Sequence, residues 1–371
     1  MFAPYVLDGA RWIRDNRSPF GLLPSGWSTE HIGDKDKPHY RDDLWGLAGL
    51  YEAARLGERL AAAETGKLWA AFDDLKAATA NSIRWVLGQQ RARGEWQTYV
   101  PTGPGDVGRL DSTIIGALAY FHPTRLYSGP KLSDDIDAAF RSTLETIWAH
   151  FVTGGFRHDA AWHAYGPYLT LQLAHAFLLI GDQDRMDSCL GWAVGNAAFA
   201  RMSRYDGAAQ QWQVASGSWN EQHAYPVASN LAEIPDRCWY MGGIPHGWAA
   251  AEFTLLVRDI LFSEAGEDDD RHIFLAPGVL PRWMRGDGGH GVSVHDAPTV
   301  FGTPFGYTLQ HDEVARRVVI DIPAPIDGVR YVYPCRLGAV TSVSADNVRQ
   351  PLTGTDIQLP AGTRHAEIGY A

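Results

Sequence analysis

Apolar residues return every three or four positions through most of the first 265 residues, the spacing of helices with one buried face. Val6, Leu7, Ala10 and Ile13 mark a helix over 2–16, and Leu44, Leu47, Ala48, Leu50, Tyr51 and Ala54 mark another over 42–60. Further helical runs cover 67–90, 111–121 (ended by His122-Pro123), 133–151 (opened by Asp134 and Asp135) and 165–180 (stopped at Gly181-Asp182). The runs 182–200 and 247–262 complete the set. Segments 165–180 and 247–262 are apolar nearly all round, whereas the others are amphipathic; a helix of the first kind is buried on every side and one of the second faces water. An inner ring of helices inside an outer ring, the (α/α) toroid barrel of six-hairpin type, produces this alternation. Eight or nine helices are visible where six complete pairs need twelve, so a reduced ring, or short helices within glycine-rich segments, is expected.

After an acidic link at 264–271 the pattern changes to short β-like runs at 291–295, 306–310, 317–322, 329–333 and 340–344, separated by Pro, Gly and Asp turns. The expected fold is therefore mainly α with a β appendage: a barrel domain over 1–268, then a C-terminal antiparallel β-sandwich over 269–371.

A net charge of −11 over 371 residues argues against nucleic acid or an anionic membrane as partner, since both demand a basic surface. No apolar run reaches the roughly 18 residues of a membrane span. The start, Met1 to Asp8, has neither a basic segment nor a small-residue cleavage site, so no signal peptide and a cytoplasmic location are expected. Cys189, Cys238 and Cys335 fit no disulfide framework or metal spacing and read as buried free thiols. All 14 tryptophans lie between Trp12 and Trp283, which places a change of domain near 270. More than half are expected in the core, and the rest along a groove where flat rings stack on sugar faces.

Trp219-Asn-Glu221 follows a glycine-rich turn, His246-Gly-Trp248 opens an apolar helix, and Ala276-Pro-Gly-Val-Leu-Pro281 leads into the β-like runs. In this order, residues 160–371 resemble the inverting α-L-rhamnosidases and related (α/α)6-barrel glycoside hydrolases. Tyr40-Arg-Asp-Asp-Leu-Trp45 is similar to the early acidic turn of such barrels. The resemblance implies an exo-acting, inverting glycosidase acting on an oligosaccharide or glycoside, with Glu221 as general base, no cofactor and no metal. The sequence sets no oligomeric state.

Hydrolysis of a glycosidic bond needs two carboxyl groups flanking it, one to protonate the leaving oxygen and one to activate water. For the acid, Asp43 is favoured over Asp42, Asp111 and Glu30. Asp42, Asp43 and Asp111 begin helices, where an Asp serves equally as an N-cap. Trp27, His31, Trp45, Trp162, His163, Tyr165, Trp219, His223, His246 and Trp248 are the candidate sugar-binding residues, each by itself also a packing residue. His158 and His163 are five apart, share no helical face well and have no third ligand, so they make no metal site. Two alternatives stay open. One is a sugar epimerase or polysaccharide lyase using His163, His223 or His246; the other is a catalytically inactive carbohydrate-binding barrel.

Overall fold

A computed structural model describes residues 2–26, 28, 36–159, 164–196, 205–206, 211–212, 219, 222–224, 240–241, 246–266, 270–284, 291–352 and 354–371. The chain divides into two compact units: Met1–Leu179 with Arg185–Glu252, and Ile180–Asp184 with Phe253–Ala371.

The first unit is helical. Helices α1 (Ala3–Asp15), α2 (Tyr40–Arg59) and α3 (Thr65–Ala92) pack against one another, and α2 also meets a 3-10 helix at Ser112–Tyr120. Then come α4 (Asp134–Phe151), α5 (Pro167–Ile180), α6 (Gln183–Gly195) and α7 (Gly247–Leu261), the last running on into the second unit. The predicted helical stripes are the buried ones. Leu44, Leu47 and Leu50 of α2 are fully buried, as are Leu75, Ile83 and Val86 of α3. Acidic residues fill the first turn of α4, where the helix N-terminus favours negative charge; Asp135 there is held by Arg84 of α3 through two contacts of 2.7 and 3.0 Å. Helix α5 is buried along nearly its whole length, as its continuous apolar run requires. The 111–121 run forms a 3-10 helix rather than an α-helix.

A small sheet joins these helices in the strand order β1-β2-β3-β6-β7: β1 (Val152–Thr153), β2 (Gly155–His158), β3 (Ala164–Tyr165), β6 (Gln222–Ala224) and β7 (Tyr240–Met241). Between β3 and β6, β4 (Tyr205–Asp206) and β5 (Gln211–Trp212) pair with each other. Strands of two to four residues carry too little alternation to be read from sequence.

The second unit holds two sheets. The six-stranded one, β10-β11-β12-β17-β14-β15, is antiparallel throughout. Its strands are β10 (Val292–Ala297), β11 (Phe305–Asp312), β12 (Arg317–Asp321), β14 (Val340–Ala345), β15 (Val348–Arg349) and β17 (His365–Tyr370). The four-stranded sheet, β16-β13-β9-β8, adds β8 (Phe262–Ala265), β9 (His272–Leu275), β13 (Arg330–Pro334) and β16 (Asp356–Leu359), with β9 parallel to β13. Phe305 of one sheet stacks on Tyr331 of the other at 5.7 Å and touches Phe262. Cys189 and Cys335 are buried free thiols; Cys238 lies outside the described residues. No helix among the described residues is long and apolar enough to cross a membrane.

The tryptophans depart from expectation. Of those whose side chains are described, Trp219 alone is buried, while Trp12, Trp45, Trp85, Trp96, Trp248 and Trp283 are exposed. Leucine, isoleucine, phenylalanine and alanine fill the helical core instead.

Candidate functional site

Helix α2 begins against the loop that follows α3. The Tyr40 N–H donates to the Thr102 carbonyl at 2.9 Å, which fixes the 100–106 loop across the helix start. A side chain at Gly103 would place its Cβ 2.1 Å from the Pro38 carbonyl oxygen, so only glycine fits this crossing. The Thr102 and Thr113 hydroxyls lie 2.5 Å apart, and Asp111 Oδ1 accepts the Thr113 N–H at 2.9 Å, capping the 3-10 helix. Asp159 accepts the Ser112 N–H at 2.9 Å while its own N–H donates to the Ser112 hydroxyl at 3.0 Å. One chain of hydrogen bonds thus runs from α2 through the 3-10 helix to the end of β2.

Asp42 and Asp43 stand in the first turn of α2 and differ sharply. Asp43 is fully buried; its Oδ1 accepts the Leu23 N–H at 2.8 Å, and its Oδ2 has no hydrogen-bond partner among the described residues. Burial, reinforced by the charge of Asp42 and opposed by the Leu23 hydrogen bond and Arg17, pushes its pKa up to about 8. Asp42 is half-buried and accepts the Ser28 hydroxyl at 2.8 Å. Burial raises its pKa as well, against the Ser28 hydrogen bond and the nearby His39 and Arg41. Asp43 is therefore a neutral acid at pH 7, shut away from solvent, and Asp42 is the member of the pair that a ligand can reach. Asp106, also buried, pairs with Lys37 at 3.0 Å. Asp111 is committed to its cap and to an ion pair with Arg109.

The other site residues cluster around the starts of α5 and α7. Tyr165 pairs in register with His223 on β6, which pairs in turn with Tyr240. The Tyr165 ring leans on Trp192 at 5.5 Å and its hydroxyl lies 2.7 Å from that of Thr153. Trp219 is a packing residue: its indole N–H donates to the Ala193 carbonyl at 2.8 Å, and its own carbonyl accepts the His246 N–H at 2.7 Å. Tyr168, His246 and Trp248 form an edge-to-face group, with Tyr168 at 6.3 Å from His246 and 5.6 Å from Trp248. Trp248 is 51% exposed and Trp45, one turn beyond Asp42, is 46% exposed, so both offer ring surface to a ligand. Glu221, Glu30, Trp27, His31, Trp162 and His163 lie outside the described residues. His158 is buried edge-on against Phe156, and burial pushes its pKa down to about 4.

Below the aromatic group sits an arrangement that sequence reading passed over. Seven residues after Tyr168, roughly 10 Å along α5, His175 is fully buried and meets Glu252 of α7. Glu252 Oε1 lies 3.4 Å from His175 Nδ1 and 3.1 Å from His122 Nε2, and the imidazoles stack with centroids 3.7 Å apart. His122 follows the 3-10 helix, and its carbonyl accepts the Gln172 amide of α5 at 2.9 Å. Burial lowers the His122 pKa despite the attraction of Glu252. The two histidines together lower that of Glu252 although burial opposes them. These directions favour an ionised Glu252 beside a neutral His122. His122, His175 and Glu252 are the residues, among those described, whose atoms lie close enough together to hold a metal ion. Two signals were in the sequence: polar Gln172 and His175 inside an apolar helix, and Glu252 one turn beyond Trp248.

No protein-family model matches the chain, and no curated protein matches it.

Proposed function

We propose that the protein is a glycoside hydrolase whose helical unit is an (α/α) barrel followed by a β-sandwich. Asp42 is its general acid and Glu221 its general base, and the reaction inverts the sugar released from a chain end. The observation that carries the reading is the Asp42–Asp43 pair at the mouth of α2: a reachable carboxyl of raised pKa beside a buried one that stays neutral. A proton donor at neutral pH needs a raised pKa and a path to the leaving oxygen, and Asp42 combines the two. Asp43 receives the Leu23 N–H and acts by positioning the turn rather than by touching substrate. Trp45 and the Tyr168–His246–Trp248 group supply ring faces and polar edges for sugar binding.

The test is release of sugar from a panel of oligosaccharides and aryl glycosides by wild type, Asp42→Asn and Glu221→Gln. Removing the acid is expected to cost roughly 10²–10⁴-fold on unactivated substrates, and far less on dinitrophenyl glycosides, whose leaving group departs without a proton. The Glu221 variant is expected to lose both. Equal loss on both substrate types for Asp42→Asn, or no loss, removes Asp42 as the acid; turnover by Glu221→Gln at the wild-type rate removes the base.

A further inference from the structure

We propose that His122, His175 and Glu252 form a binding site for one divalent transition-metal ion, with zinc the best fit, that ties the 3-10 helix end to α5 and α7. Two imidazole nitrogens and a carboxylate are the donor set of three-ligand zinc sites, which leave the fourth position to water. Around a tetrahedral zinc ion with bonds of about 2.0–2.1 Å, ligand atoms stand roughly 3.4 Å apart. The carboxylate–imidazole separations here are 3.1 and 3.4 Å. All three side chains are at most 8% exposed, so the ion is shielded from competing water. Neutral imidazole and ionised carboxylate are the forms that ligate metals.

Loading replaces two N–H···O contacts by metal–ligand bonds. Each ring moves its proton to its other nitrogen, so no proton is released from the histidines. The stacked rings also open, because each nitrogen must aim its lone pair at one point. His122 Nδ1, which receives its ring's proton, has no hydrogen-bond partner among the described residues. That missing acceptor weakens the site, by roughly 10–100-fold relative to one whose rings are both held from outside.

The experiment is dialysis of the whole protein against Co²⁺ or Zn²⁺, followed by metal analysis, visible absorption and thermal melting. One retained equivalent, cobalt d–d bands of tetrahedral intensity and a Tm rise of about 3–5 °C at a hundredfold excess over Kd are expected. Glu252→Gln and His175→Asn should abolish all three, and His246→Ala should abolish none. No retained equivalent, or undiminished binding by Glu252→Gln, overturns the site. Should the buried variants fail to fold, X-ray absorption of the zinc-loaded wild type decides: two imidazoles with oxygen ligands sustain the proposal, and any other count of imidazoles, or a sulfur ligand, overturns it.

Discussion

Asp43 and Glu252 are both carboxyl groups withdrawn from water within the same unit, and their acidities move in opposite directions. Burial raises both. For Asp43 a single backbone N–H and the Arg17 guanidinium oppose it, and burial wins, so the group keeps its proton to about pH 8. For Glu252 two imidazoles within 3.4 Å oppose it, and the partners win. Hydrogen-bond donors aimed at a buried carboxylate, more than depth, decide whether it is an acid or an anion. The contrast extends to stability. A group with a raised pKa stabilises the fold at low pH and loses that contribution as pH climbs through its folded value. A carboxylate with a depressed pKa, or a histidine held neutral, loses its contribution as pH falls.

The largest effect that tests this contrast comes from Asp43→Asn, which keeps the Leu23 hydrogen bond and removes the titration. Relative to wild type, the variant should gain roughly 1.4 kcal/mol per pH unit between the ordinary aspartate value near 3.8 and about 8. Urea unfolding at several pH values reads this directly; parallel curves for the two proteins would mean that Asp43 is ionised in the fold. Next, Glu252→Ala strands two buried imidazole N–H groups and should cost about 3 kcal/mol at pH 7, with Glu252→Gln costing less. A neutral result would show that the histidines find other acceptors. Smaller again is His122→Gln. Wild type should lose stability as pH drops below about 6.5, the ordinary imidazole value, because His122 must stay neutral; the variant should show a shallower decline. Smallest is Trp248→Ala, at the exposed start of α7. Its stability should change by less than about 1 kcal/mol, while KM rises if the ring contacts sugar. Unchanged KM removes Trp248 from the binding surface.

The helices and the five strands between 291 and 345 were legible because their apolar periodicity is long enough to stand out. Strands β16 and β17 escaped notice because each offers only two buried apolar positions, Ile357 and Leu359 in Asp356–Leu359 and Ala366 and Ile368 in His365–Tyr370, too few for the alternation to stand out. Strand β8 was hidden because the apolar stripe of α7 runs without a break into Phe262. Asp42 and Asp43 were legible as a helix start, but which of them is buried depends on Leu23, a residue 20 positions away. The His122–His175–Glu252 group could not be assembled from sequence, since its contacts join residues 77 and 130 positions apart and each member reads locally as an isolated polar residue, His175 and Glu252 within helices and His122 just past one.

That separation of 130 residues between His122 and Glu252 has a temporal side. A chain grown from its amino end at 5–20 residues per second needs roughly 6–26 s to travel from one to the other. Helix formation takes about a microsecond and loop closure less, so every helix preceding α7 has ample time to form while the two histidines still lack their carboxylate. During synthesis the interior of the helical unit is therefore a provisional assembly with two imidazoles unanswered, and the arrival of α7 is the step that completes it.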